Sequence, residues 1–175
     1  MYFGHAVLRS CAPPSGPEIR VSVRLAGAQD LKAVACRQGG ETAQRFANHK
    51  ILGSSCVVAE NERTVVGYLW TNETVFEFLG ESLGILPDGF MCVHDGFVFP
   101  EFRGNGVFQY LFATVFESGR AAGLHTAVCV ADRANTPTVT GCRRAGVRFR
   151  RAPILKLPGL TPMLLGVRSL GGAES

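Results

Sequence analysis

The chain has 175 residues, of which 46% are hydrophobic and 18% are charged, and its net charge is +4. This length fits one domain with a sizeable core, and the composition excludes a disordered or fibrous chain. The modest positive charge suits an anionic ligand as well as a nucleic acid, so it favours neither class of partner.

The six cysteines are widely spaced, without a Cys-x-x-Cys pair or a histidine at the spacing of a metal site. Residues 1–9 lack a long apolar run, and no stretch approaches the roughly 18 apolar residues that cross a bilayer. These features predict a reduced, cytoplasmic protein that binds neither a metal nor a membrane.

The N-terminal quarter is predicted to contain one strand and two helices. Prolines and glycine concentrate towards the end of residues 1–17, which predicts an irregular N-terminal arm. Alternating apolar and polar residues predict a strand over 19–25, and helical spacing predicts helices over 29–37 and 41–49.

The middle of the chain carries a hairpin signal. Two strand-like runs, 55–60 and 64–71, are separated by three polar residues. Glycines and a proline interrupt residues 73–89, where we expect a loop with one short helix or strand. The apolar run 90–99 predicts a further strand, which ends at a proline.

The last third alternates helix and strand. Apolar spacing predicts a long helix over 106–122, a buried strand over 126–131 and a helix over 136–145. Residues 147–157 are predicted to form a bent strand or a strand pair.

This order of elements predicts an α/β (α+β) domain, a mixed sheet covered by helices, over residues 18–168. The arm 1–17 precedes it, and a polar tail, 169–175, follows. The strand–loop–helix–strand unit 90–131 predicts two parallel strands joined by a right-handed crossover.

One loop carries a chemical signal, because glycines stand where a strand turns into the long helix. The first amides of a helix have no partner within it and lie at the positive end of the helix dipole. Gly104 and Gly106 let the backbone approach a ligand, and Arg103 adds a fixed charge. The pattern favours a site for an anion such as a pyrophosphate, although a tight turn with a helix cap is the alternative.

The run Val98 to Val107 closely resembles motif A of the GNAT acetyltransferase superfamily, V-x-P-x-x-R/Q-x-x-G-x-G/A. Asn135-Thr136-Pro137-Thr138, with Gly146 closing the next helix, resembles motif B of the same superfamily. The resemblance covers about residues 54–150. It implies a three-layer GNAT fold, with a mostly antiparallel sheet, a splayed central pair of parallel strands and helices on both faces.

The resemblance also implies how an acyl donor is bound. The pantetheine arm of acetyl-CoA would run beside the backbone of Phe97 and Val98, where an amide would serve as an oxyanion donor. Asn135 would contact the donor near its thiol. The pyrophosphate would be held by the backbone amides of six consecutive residues: Arg103, Gly104, Asn105, Gly106, Val107 and Phe108.

The implied function is transfer of an acetyl group from acetyl-CoA to a primary amine, by direct attack in a ternary complex. The acceptor would be a small molecule or a protein amine; a homodimer is compatible with the family, and nucleic acid is not expected. Two alternatives stay open: a CoA-binding or regulatory module with impaired catalysis, and an acyltransferase for longer acyl chains.

Two departures from the family pattern affect the site. Phe108 stands where the motif has its last glycine or alanine, and Cys142 stands where many members carry the tyrosine that protonates the leaving thiolate. A thiol with a pKa of about 8.5 is able to serve as that acid. The alternative is a cysteine of the helix core.

Candidates for the general base precede motif A. His94 and Asp95 would point to opposite faces of a regular strand, so at most one would face the cleft unless a bulge intervenes. A histidine offers a near-neutral pKa and an aspartate offers charge. Asp132, just after the buried strand, is a third option.

Overall fold

The computed structural model describes residues 1–11 and 16–151, together with the backbone of two short strands beyond them. Its helices are α1 (Ala28–Gln38), α2 (Gly40–Ile51), α3 (Val107–Ala121) and α4 (Thr136–Arg144). Its strands are β1 (Tyr2–Val7), β2 (Ser22–Leu25), β3 (Ser55–Asn61), β4 (Thr64–Asn72), β5 (Val75–Phe78), β6 (Glu81–Ile85), β7 (Phe90–Val98), β8 (Thr126–Ala131), β9 (Arg148–Arg151), β10 (Ile154–Leu155) and β11 (Met163–Leu164).

Seven strands form one mixed sheet in the order β2-β3-β4-β7-β8-β1-β9. Every neighbouring pair is antiparallel except β7 and β8, which run parallel. Their pairing extends only from Phe90–Thr126 to Cys92–Val128, although β7 continues to Val98. The two central strands therefore diverge and leave a gap, as the predicted splayed pair requires.

Helices cover both faces of the sheet because successive strand residues point to opposite sides. On β4, Tyr68 and Trp70 pack with Phe46 of α2. Between them, Leu69 points the other way and packs with Leu111 of α3. The predicted α/β fold with a mixed sheet and helices on both faces is confirmed.

The irregular structure predicted for residues 1–17 is wrong for residues 2–7. They form β1, which inserts between β8 and β9, and Phe3 is buried. Close packing explains the small residue at Gly4, where an added Cβ would lie 2.7 Å from Cys129 Sγ. The prolines that suggested an irregular arm begin only after this strand, at Pro13.

The predicted helices and the first hairpin are confirmed to within a few residues at each end. Residues 73–89, predicted as a loop with one short element, instead contain the separate hairpin β5–β6. The tail predicted over 169–175 lies outside the described residues. In the described part of the chain, no helix is long and apolar enough to cross a membrane.

Candidate functional site

Strand β7 is interrupted by a bulge. Tyr68 pairs with Phe97 and Trp70 pairs with His94, so Asp95 and Gly96 together face one residue of β4. The φ angle of Asp95 is 39°, in the left-handed region. Because of the bulge, His94 and Asp95 both point towards α2 instead of to opposite faces.

Helix α2 supplies two partners for Asp95. Arg45 and His49 are four residues apart and therefore lie on one side of the helix. The Arg45 Nε donates to Asp95 Oδ2 at 2.8 Å, and His49 Nε2 lies 2.9 Å from the same oxygen. The His49 side chain is fully buried.

Glu77 of β5 completes a buried polar cluster, which we call the α2-side cluster (Arg45, His49, Ser54, Glu77, His94 and Asp95). One carboxylate oxygen of Glu77 contacts His49 Nδ1, and the other accepts a 2.5 Å hydrogen bond from Ser54 Oγ. The Asn72 amide donates to Ser54 Oγ at 2.9 Å. His49 thus bridges two carboxylates.

His94 is bonded on one side only. Its Nε2 lies 3.3 Å from Ser54 Oγ and 3.4 Å from Glu77 Oε2, while its Nδ1 has no partner among the described residues. Burial lowers the pKa of His94 to about 4, so the ring is neutral near pH 7. The network assigns the proton to Nε2 and leaves a lone pair on Nδ1.

The other ionisable groups of the cluster have pKa values shifted towards their charged forms. Burial opposes protonation of His49, but hydrogen bonds to Asp95 and Glu77 raise its pKa above the usual value. Burial raises the pKa of the two carboxylates, but hydrogen bonds from His49 outweigh this effect and lower the pKa of Glu77 and of Asp95. Two cations, His49 and Arg45, therefore balance two carboxylates.

Donor atoms of His49, Glu77 and His94 all lie within 4.8 Å of one another, which is close enough to consider a metal ion. However, these groups are each other's hydrogen-bond partners, and their charges cancel without an additional cation. We therefore describe the cluster as a hydrogen-bonded network.

The sequence alone did not indicate roles for Arg45, His49 or Ser54 of this cluster. One signal was available: Thr42, Phe46 and His49 form the buried stripe of α2. A histidine in such a stripe needs a polar partner from elsewhere in the fold.

The glycine-rich loop has the backbone that its sequence predicts. Gly104 and Gly106 have φ angles of 85° and 77°, and Gly106 begins α3 as an N-cap without a side-chain hydrogen bond. Arg103 is folded back, since its Nε donates to the Val98 carbonyl at 3.0 Å. The first amides of α3 are left without intrahelical partners.

The edge of β7 beside the gap also offers backbone groups. The Phe99 amide donates to Val66 O on β4. Successive amides of a strand point in opposite directions, so the Val98 amide points towards the gap beside β8. The gap between β7 and β8, the glycine-rich loop and the N-terminus of α3 therefore adjoin one another.

Two further predicted site residues lie on α4. Asn135 is its N-cap, and its side-chain oxygen accepts a hydrogen bond from the Thr138 amide at 3.2 Å. Cys142 is buried in the apolar core, in the same cluster as Cys129 of β8. The third base candidate, Asp132, caps a turn by accepting from the Ala134 amide. Within the described part of the chain, no hydrogen bond or ion pair joins these three residues to the α2-side cluster.

The family model described as "Acetyltransferase (GNAT) family" matches residues 28–144, about two thirds of the chain. The chain belongs to the GNAT acetyltransferase family. The matched range includes the bulge, the glycine-rich loop and both faces of the central gap. No curated protein matches the sequence.

Solved structures agree with a GNAT fold. A glucosamine N-acetyltransferase region of a fungal multi-domain GH3 β-N-acetylglucosaminidase superposes with a TM-score of 0.65 and 16% identity, covering 86% of this chain and 20% of that one. This chain thus spans about a fifth of that protein. The putative acetyltransferase yncA from Salmonella typhimurium, with its cofactor acetyl-CoA, superposes with a TM-score of 0.55 and 18% identity. The match covers 81% of this chain and 89% of that one. AAC(6')-Iy, in complex with a bisubstrate analog, superposes with a TM-score of 0.61 and 16% identity, covering 79% of this chain and 97% of that one.

Proposed function

We propose that this GNAT domain transfers an acetyl group from acetyl-CoA to a primary amine, by direct attack in a ternary complex. The observation that carries the proposal is the position of the β7 bulge. It directs His94 and Asp95 towards α2, while the same strand borders the gap beside the glycine-rich loop. Donor and acceptor would therefore meet across one strand.

On the donor side, the amides from Arg103 to Phe108 would hold the pyrophosphate, helped by the positive end of the α3 dipole. The pantetheine arm of acetyl-CoA would follow Phe97 and Val98 through the gap between β7 and β8, and Asn135 would lie on the other side of that arm. The Val98 amide would donate to the thioester carbonyl as negative charge develops on that oxygen.

On the acceptor side, we assign the base to His94. Its neutral ring has an unpartnered Nδ1, and Glu77 and Ser54 orient the opposite nitrogen. Asp95 is bonded to both Arg45 and His49, so its carboxylate is already engaged in contacts that hold it in place. We assign it the role of holding the bulge.

The reaction then proceeds in one addition and one elimination. As the amine nitrogen attacks the thioester carbon, it loses a proton to His94, directly or through water. The carbon–sulfur bond then breaks, and the CoA thiolate takes a proton from solvent or from Cys142, the candidate at the position of the family's tyrosine.

The decisive test is binding followed by turnover. At about 100 times its Kd, acetyl-CoA should add roughly 2.7 kcal/mol of stability, or about 5 to 10 °C in Tm for a domain of this size. Acetyl-pantetheine, which lacks the pyrophosphate, should give little shift at the same concentration. An Arg103→Ala variant should show a smaller shift with acetyl-CoA.

Thiol release is then measured with a panel of amines that includes glucosamine and an aminoglycoside, since two similar structures are named for such acceptors. Binding without turnover of any amine would favour the impaired regulatory module. Faster turnover of octanoyl-CoA than of acetyl-CoA would favour the longer-chain alternative. No binding of acetyl-CoA would refute the proposed function.

A further inference from the structure

The side chain of Phe108, where motif A has a small residue, lies between α4 and the part of β7 that borders the gap beside β8. A Cβ added at Gly96, on the β7 bulge, would lie 3.2 Å from the ring. A Cβ added at Gly141, on α4, would lie 2.7 Å from it. The ring is therefore enclosed between a glycine of β7 and a glycine of α4.

The two glycines explain how an aromatic ring fits there. At Gly141 the ring lies closer than any side chain would allow, and at Gly96 a side chain would also meet Leu69 at 2.6 Å. On α3 itself, Phe108 packs against Phe112 one turn later, with ring centroids 4.9 Å apart. Phe108 is only half-buried, so one side of the ring remains open to movement.

This position coincides with the path assigned to the pantetheine arm. The arm would run beside Phe97 and Val98, which directly follow Gly96, and would pass Asn135 at the start of α4. An arm between β7 and α4 cannot occupy the same volume as the Phe108 ring.

We propose that Phe108 is a gate that closes the acyl-donor cleft in the free protein and must rotate away before acetyl-CoA binds. The inference rests on the proposed function, because it requires the donor arm to enter this gap. A gate of this kind reduces the apparent affinity by the fraction of molecules in which the cleft is open.

The gate predicts that a smaller side chain speeds donor binding. Acetyl-CoA association with wild type, Phe108→Ala and Phe108→Leu is followed by stopped-flow fluorescence of Trp70, the single tryptophan. If the ring closes the cleft in about nine molecules of ten, Phe108→Ala should bind about tenfold faster and tighter. Phe108→Leu should fall between it and wild type, and it covers the case in which Phe108→Ala does not fold.

Phe116→Leu is the matched control, because it shortens a buried aromatic side chain two turns along the same helix from Phe108. It should lower the melting temperature without changing the association rate. Donor binding that is unchanged or slower in both Phe108 variants would overturn the gate and leave the proposed function intact. Absence of acetyl-CoA binding in every protein would overturn the proposed function and the gate together.

Discussion

The two sides of strand β7 differ in how they are built. Towards α2 lies a buried network in which His49 joins Glu77 to Asp95, and most polar atoms have partners. Towards α3 lies an apolar core that contains Cys142, with Phe108 packed beside it. The α2 side is stabilised by ion pairs and hydrogen bonds, whereas the α3 side is stabilised by close packing of apolar side chains.

The two sides of β7 should therefore respond differently to substitution. Removing a charge on the α2 side leaves other buried charges without partners, which strongly lowers the free energy of unfolding. Trimming an apolar group on the α3 side costs packing and opens space. The following predictions test this difference, in decreasing order of expected effect.

The largest effect is expected at Glu77. Glu77→Ala should reduce the free energy of unfolding by about 3 to 5 kcal/mol, because His49 and Ser54 lose a buried partner. Glu77→Gln keeps the shape and one acceptor, so it should cost less. Urea unfolding at pH 7 measures both, and a loss below about 1 kcal/mol in Glu77→Ala would show that the network is not important for stability.

Asp95→Asn should affect catalysis more than donor binding. Asparagine tolerates the left-handed backbone at this position, but it removes the charge that holds Arg45 and His49. We expect kcat to fall about tenfold to a hundredfold, about 1.4 to 2.7 kcal/mol in the barrier, with the KM for acetyl-CoA nearly unchanged.

Asp95→Gly is the control for that prediction, because glycine adopts the same backbone without a side chain. It should be at least as impaired as Asp95→Asn. If Asp95→Gly keeps wild-type turnover, the bulge needs only its backbone conformation and the charged contacts are dispensable.

The two histidines should give opposite pH dependences of stability. His49 has a raised pKa in the folded protein, so its stabilisation is present below about pH 6.5 and is lost as pH rises through the raised value. His94 has a lowered pKa of about 4, so the folded protein loses stability as pH falls from about 6.5 towards 4.

Unfolding free energies of wild type, His49→Gln and His94→Gln at pH 5, 7 and 9 measure this difference. The gap between wild type and His49→Gln should shrink as pH rises. His94→Gln should abolish part of the loss between pH 7 and 5. Parallel curves for all three proteins would mean that neither histidine has a shifted pKa.

The smallest effect is expected at Cys142. Its thiol lies in the apolar core, so Cys142→Ala should cost about 1 kcal/mol of stability and leave kcat within about twofold of wild type. Cys142→Ser should cost more, because it buries a hydroxyl among apolar groups. A fall in kcat of tenfold or more with unchanged stability would instead support Cys142 as the proton donor to the thiolate.

Several features could be predicted because they depend on neighbours in the sequence. The helix pair α1–α2, the hairpin β3–β4 and the loop before α3 each follow from local periodicity and turn residues. The hairpin connection is an example: Glu62 and Arg63 both adopt positive φ between two strand-like runs. The left-handed backbone of the loop likewise depends on Gly104 and Gly106 themselves.

Other features could not be predicted because they depend on distant contacts. Strand β1 is short and has no pattern that indicates its neighbours, yet it fills the space between β8 and β9. The hairpin β5–β6 was missed because glycines interrupt its run of apolar residues. Its position matters, since it carries Glu77 to His49.

The type of domain and the backbone of the glycine-rich loop follow from the sequence alone, because periodicity and glycine placement act within a few residues. The directions of His94 and Asp95 depend instead on the fold, because the bulge that turns both towards α2 is a property of the pairing between β4 and β7. The same holds for Phe108, whose ring meets two glycines 12 and 33 residues away in the chain. Burial then sets the charge of each histidine, since the pKa of a side chain depends on partners that only folding brings together.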